Sequence, residues 1–181
     1  MTHSADDALA ARIRRLEVRA ELSDLVARYG LLLDARDWDG AADAFAEEGV
    51  LRFHGGEVAG RAALRQFYAA RVGAFEFTFH YAHAPLFEIT GADRATGTVT
   101  GHAEHGAGGS CLLAAVRYED EYVHEEGRWR FASRRIHSRY FLDWPEFATS
   151  FREDGFDGPF GLLPVDQPGR GRLDDAGRGS G

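Results

Sequence analysis

The chain has 181 residues, 44% of them hydrophobic, and a formal net charge of −8. It is long enough for one packed domain and too acidic for a nucleic acid or an anionic membrane to be its expected partner. The lone cysteine, Cys111, excludes an internal disulfide, and the absence of lysine excludes Schiff-base chemistry, a lysine general base and a P-loop lysine.

No apolar run approaches the roughly 20 residues of a membrane helix. The opening MTHSADDALAARIRR carries no apolar core of a secretory signal, so a soluble cytoplasmic protein is expected. Residues 6–33 have a helical period: Leu9, Ile13, Leu16 and Ala20, then Leu22, Leu25, Val26, Tyr29, Leu32 and Leu33. Asp37 is placed to N-cap a second helix, with Trp38, Ala41, Ala42 and Phe45 on one face and Gly49 at its end. VLRFHGGEVAG (50–60) reads as a strand and turn, and RAALRQFYAARVG (61–73) as a third helix striped by Leu64, Phe67, Tyr68 and Val72.

Beyond Gly73 the period changes to alternation. Strands are expected near 76–90, 95–105, 110–124 and 128–141, with EEGR (125–128) as the hairpin turn between the last two. GHAEHGAGGS (101–110) lacks GxGxxG order and follows no βα step, so it reads as a bulge or hairpin loop rather than a phosphate cradle. Helices followed by strands indicate an α+β fold, with helices packed on one face of a curved, mostly antiparallel sheet. The aromatic stretch 144–164 has no sustained period and is expected to be an extension that closes over a pocket. Residues 165–181 are expected to form a disordered tail.

FEFTFHYAHAP (75–85) carries the most informative chemistry. Phe75, Phe77, Phe79 and Tyr81 alternate with Glu76, Thr78 and His80. The aromatic row is expected to face the core, and the polar row either to line a pocket or to be solvated. His80 and His83 are three apart, which on a strand sends them to opposite faces, and HAEH (102–105) has the same limit. With no CxxC in the chain, neither a metal site nor a cofactor is expected. Pro85 can bulge the strand and change the facing of His83.

A histidine in a pocket is the usual general base near neutral pH when a carboxylate orients its second nitrogen. Asp34, ending the long apolar helix, is the candidate carboxylate. The alternative is that Asp34 caps the second helix and His80 is solvated. FASRRIHSRYF (131–141) places Arg134 on the face of Ala132, Ile136 and Tyr140. Inside a pocket an arginine stabilises developing negative charge; outside one it is a solvated strand residue. No GxSxG supports a serine nucleophile, and Cys111 beside Leu112 and Leu113 reads as a small buried residue.

LVARYGLLLDARDWDGAADAFAEEGVLRF, GRAALRQFYAARV, FHYAHAPLFEI and RYEDEYVHEEGRWRFASRRIHSRYF together resemble SnoaL-like proteins of the nuclear transport factor 2-like superfamily, over roughly residues 9–143. The resemblance implies a cone-shaped α+β barrel over 1–143, with a curved sheet wrapped around helices and an apolar pocket inside. It is nearest to the scytalone dehydratase and hexachlorocyclohexane dehydrochlorinase branch. There an aspartate ending the first helix pairs with a histidine opening a strand, positions similar to Asp34 and His80. The dehydrochlorinase arginine ahead of an Ile-His pair is matched by Arg134 before Ile136 and His137. Where the branch often has an asparagine four residues after the histidine, this chain has Ala84, with His83 beside it, so its substrate contacts do not transfer.

The resemblance implies a cofactor-free lyase or isomerase, dehydratase- or cyclase-type, acting on a hydrophobic cyclic small molecule of secondary metabolism. In this reading His80 moves the proton and Asp34 fixes its tautomer. Arg134 and Tyr29 polarise an oxygen or leaving group, and His83, His102, Glu104 and Trp38 are further substrate-binding candidates. A homodimer or homotrimer is implied as well. The rival is a non-catalytic ligand-binding protein or oxygenase β-subunit, which needs no dyad. Epoxide hydrolysis is a third possibility, whose Asp-Arg-Asp arrangement is not evident at matching positions.

Overall fold

The computed structural model describes residues 2–146; all but the first three residues of the expected aromatic extension, and the whole expected tail, lie outside them. The elements run α1 (Thr2–Asp34), α2 (Trp38–Asp43), β1 (Phe45–Phe53), β2 (Gly56–Ala59), α3 (Arg61–Arg71), β3 (Phe77–Ala82), β4 (Leu86–Ile89), β5 (Arg94–Ala107), β6 (Ser110–Glu125) and β7 (Arg128–Asp143). The strands form one sheet in the order β2-β1-β7-β6-β5-β3, with β4 also paired to β5. Among the described strands only β1 and β7 pair in parallel. The sheet is curved and left open, and helices fill its concave side, as the α+β order of the sequence implied.

The core forms where α1, α2 and α3 meet that concave face. Leu22, Val26, Tyr29 and Leu33 come from α1, Leu64 and Tyr68 from α3, and Leu51, Val99, Tyr122 and Phe131 from the sheet. Burying each large apolar side chain contributes about 1.5–3 kcal/mol. The stripe of α1 is buried only in its second half: Leu9, Ile13 and Leu16 are exposed. No described helix is long and apolar enough to cross a membrane.

Three expectations are corrected. First, the second helix stops at Asp43 rather than Gly49. Phe45 turns into the core and the Phe131 N–H donates to Ala44 O (2.9 Å), which starts a strand instead. The ladder of β1 to β7 shifts register between Phe45 and Val50. Gly49 sits in that irregularity, where a Cβ would stand 2.8 Å from Phe131 O. It is a close-approach residue, not a helix stop.

Second, the strand expected over 76–90 is two, broken at 83–85, where proline cannot donate to a ladder. Third, GHAEHGAGGS is strand as far as Ala107. Its loop is only Gly108-Gly109, both at positive φ (57° and 80°) as a tight hairpin turn requires.

Gly49→Ala is expected to destabilise the fold by about 1–3 kcal/mol through overpacking against Phe131, measured as a lowered midpoint in chemical denaturation.

Candidate active site

The facing of β3 is the reverse of the expectation. Phe77, Phe79 and Tyr81 are 41%, 49% and 44% exposed, while Thr78 is buried at 7%. The polar row faces inward because β3 crosses α1 there. Gly30 makes the crossing close: a Cβ on it would lie 3.2 Å from the Cβ of His80. One turn further along α1, the Asp34 carboxylate collects three contacts from β3. Thr78 Oγ1 donates to Oδ1 (3.0 Å), the His80 N–H donates to Oδ2 (2.9 Å), and His80 Nδ1 lies 2.6 Å from Oδ1. Inward polar groups are tolerated because they are paired. Asp34 does not cap α2; Asp37 does, accepting from the Gly40 N–H at 2.8 Å.

Burial pushes the Asp34 carboxyl upward, but the hydrogen bonds from the His80 ring and backbone, the His80 charge and the Thr78 hydroxyl outweigh it and hold Asp34 below its ordinary 3.8. Asp34 is therefore a carboxylate at neutral pH and can only accept. That assigns the proton of neutral His80 to Nδ1 and leaves Nε2 with its lone pair.

Arg134 is buried, and its partner Asp120 more so (1% and 0% exposed). The pair is bidentate: Nε donates to Oδ1 and Nη2 to Oδ2, both at 2.8 Å. The guanidinium carbon lies 4.0 Å from the Phe131 ring centre, 4.3 Å from Tyr118 and 4.7 Å from Tyr29. Burial works against this cation, but the charge and hydrogen bonds of Asp120 hold it well above the ordinary range. Around it, Tyr29 and Tyr68 share a hydrogen bond (3.1 Å). Burial raises both of their pKa values and that of Tyr118, so all three remain neutral hydroxyls.

A cavity of about 380 Å³ joins these groups. Its lining includes His80, Tyr29, Arg134, Tyr118, His83 and His102, with Val26, Ala27, Leu31 and Ala82 as apolar wall. Asp34 stands behind His80. His83 and His102 are exposed, with His83 Nε2 3.0 Å from His102 Nδ1 and the Tyr81 ring stacked on His102. Two expected substrate contacts are not in this cavity. Glu104 lies on the outer face opposite Phe79, and Trp38 packs against the core. Clefts of about 300 and 480 Å³ lie elsewhere on the surface, but neither reaches His80. Among the described residues, no three His, Cys, Asp or Glu side chains are grouped to hold a metal ion.

Sequence reasoning missed Asp120, Tyr118 and His105. The first two carry a legible signal: in YEDEY (118–122) the inward positions alternate Tyr-Asp-Tyr, an acid flanked by aromatics on a buried face. His105 pairs across the ladder with Thr78. It packs between Phe75 (4.6 Å) and Phe141 (5.3 Å) and meets the His80 ring edge-on at 5.5 Å. Burial, then the His80 charge, push His105 down to about 4, so it is neutral beside His80.

A SnoaL-like domain model matches residues 14–135. Among solved structures, a hexachlorocyclohexane dehydrochlorinase, LinA type 2, is 19% identical, with 86% of this chain and 99% of that chain covered and a TM-score of 0.69. LinA-type3 from Novosphingobium barchaimii LL02 is 22% identical, with 73% and 93% covered and a TM-score of 0.67. A provisionally named scytalone dehydratase from Novosphingobium aromaticivorans DSM 12444 is 19% identical, with 72% and 89% covered and a TM-score of 0.67. At these identities the likeness to solved structures is one of fold. No curated protein sequence matches the chain.

Two measurements test the electrostatics. His105 titrates near 6.5 when unfolded and about 4 when folded, so the unfolded chain binds more protons between these values. Stability should therefore fall on acidification through that window, by roughly 3 kcal/mol from this group. His105→Phe should flatten that part of the dependence in denaturant titrations across the same pH range. Asp120→Asn leaves the Arg134 charge buried without its counter-ion and should cost about 3–5 kcal/mol in the same assay at neutral pH.

Proposed function

The chain belongs to the SnoaL-like domain family, and we propose that it is a cofactor-free lyase or isomerase that acts on a hydrophobic cyclic small molecule by proton transfer through His80. The observation that carries this reading is the 2.6 Å contact of His80 Nδ1 with Asp34, in a histidine that lines a half-open cavity. Similar folds include enzymes named as dehydrochlorinase and dehydratase, both of which eliminate a group from carbon.

In the proposed reaction His80 Nε2 removes a proton from a carbon of the substrate. Asp34 stabilises the imidazolium that forms, as a carboxylate behind a histidine does. The same imidazolium then returns the proton, either to a departing hydroxyl, giving water and an alkene, or to a neighbouring carbon, giving an isomer. Tyr29 and Tyr118, kept neutral by burial, supply hydroxyl donors for a substrate oxygen, with the Arg134 guanidinium behind them. Negative charge developing on that oxygen is stabilised by such fixed donors.

The charge balance favours dehydration over loss of a halide. Asp120 already neutralises Arg134, so a departing anion gains less from that cation than a hydroxyl gains from protonation by His80. The apolar wall of Val26, Ala27, Leu31 and Ala82 suits a hydrocarbon ring. The exposed row Phe77, Phe79 and Tyr81 supports assembly into a homodimer or homotrimer through the outer face of the sheet.

Incubation with a panel of cyclic hydroxy ketones, followed by mass spectrometry for loss of water, is the direct assay. His80→Ala and Asp34→Asn are each expected to lower turnover by about 10²–10⁴-fold with the circular dichroism spectrum retained. Near-normal turnover in a folded His80→Ala protein would sink the mechanism.

A further inference from the structure

α1 ends in a Schellman-type turn. The Arg36 N–H donates to Leu33 O (3.1 Å) and the Asp37 N–H to Leu32 O (2.9 Å), which places Arg36 at φ 59°. Glycine takes that left-handed conformation without steric cost, whereas arginine does not. Its side chain supplies a reason for arginine here. Nη1 donates to Gly73 O (3.2 Å), and Nη2 donates to Phe75 O (2.6 Å) and Glu76 O (3.1 Å). A planar guanidinium with several fixed donors can hold three carbonyls at once; the rotating point charge of a lysine is poorly suited to it.

Those carbonyls belong to the connection between α3 and β3, whose far end is tied down separately. The Glu76 N–H donates to Gly106 O (2.7 Å), and Glu76 Oε1 accepts from the Gly108 N–H (2.9 Å). Two residues before Arg36 stands Asp34; two and four residues after Glu76 stand Thr78 and His80. One exposed side chain therefore joins the two segments whose next residues make the Asp34–His80 contact. The Gly30 crossing sets how closely β3 approaches α1. It does not resist a slide of β3 along its own direction, which hydrogen bonds to successive carbonyls do.

We propose that Arg36 is a positioning residue for the Asp34–His80 pair, a clamp that holds the end of α1 in register with the start of β3. This rests on reading that pair as the reacting groups. A shift of about 1 Å in such a pair costs on the order of 100-fold in rate, so a surface clamp outside the cavity has leverage on the chemistry.

Arg36→Gly isolates the clamp, because glycine suits the left-handed turn and only the side-chain bonds are lost. Arg36→Gln is the companion variant, long enough for one carbonyl at most. Both are read in the full chain without substrate, by the downfield proton resonance of the His80 Nδ1–H and by the 13C titration of the Asp34 carboxyl, with thermal unfolding as control. The expected result for Arg36→Gly is a retained cooperative melt, a broadened or lost Nδ1 proton signal, and an Asp34 midpoint that rises toward the ordinary 3.8 from its depressed value. Once a substrate is in hand, kcat should fall about 100-fold with KM unchanged.

A folded Arg36→Gly protein with a sharp Nδ1 signal and a depressed Asp34 midpoint overturns the proposal. Loss of the fold in both variants also overturns it, making Arg36 a stability residue. Neither signal needs turnover, so failure of the clamp leaves the proton-transfer reading standing, while an active His80→Ala protein removes that reading without touching the clamp.

Discussion

The Asp34 carboxylate is the interaction on which the rest of this structure depends. It sits at the C-terminal end of a long helix, where the helix dipole disfavours negative charge, and side chains at that crossing are largely withdrawn from water. Three donors from one strand offset both costs. Because all three come from β3, their demand decides which way that strand faces. Thr78 and His80 turn inward, and Phe77, Phe79 and Tyr81 are left on the outer surface. The cost of exposing three aromatic rings is accepted because leaving the part-buried Asp34 carboxylate without those donors would cost more.

A second polar centre, Arg134 with Asp120, is built on the opposite principle. Asp34 holds a partner that can gain and lose a proton; Asp120 holds one that cannot. Aromatic rings surround the guanidinium, and hydroxyls around it are kept protonated by burial. His105 is kept neutral by the same means. The cavity therefore holds one well-oriented base among groups that do not titrate near neutral pH or whose charge is already balanced, with His83 and His102 at its exposed side. Such separation of roles suits chemistry in which one group moves a proton and the others hold the substrate still.

Much of this was legible in the residue pattern. The second half of α1, the stripe of α3 and the long strands β5 to β7 follow their apolar periods, and the turn at Glu126-Gly127 has the left-handed residues a tight hairpin requires. His80 stood out as part of a polar row opposite an aromatic row on one strand, but the residue pattern left Asp34 open between its partner and a helix cap, and the family resemblance favoured the pairing that the contact at 2.6 Å shows. Other features were not. Gly49 has the look of a helix stop but serves a close approach to Phe131, and the facing of β3 runs against the usual rule that aromatic rows point to the core.

What the sequence alone determined is local: element types, their order, the α+β layout and the residue types capable of proton transfer. Periodicity and turn chemistry act over a few residues, so they can be read along the chain. Tertiary structure decided the facing of β3, the bulge at Gly49, the charge balance of Arg134 and the neutrality of His105. Each of these depends on a partner distant in sequence: 46 positions separate Asp34 from His80, and 14 separate Asp120 from Arg134. Which polar group is buried, and whether it is paired there, is settled only when the helix and the sheet meet.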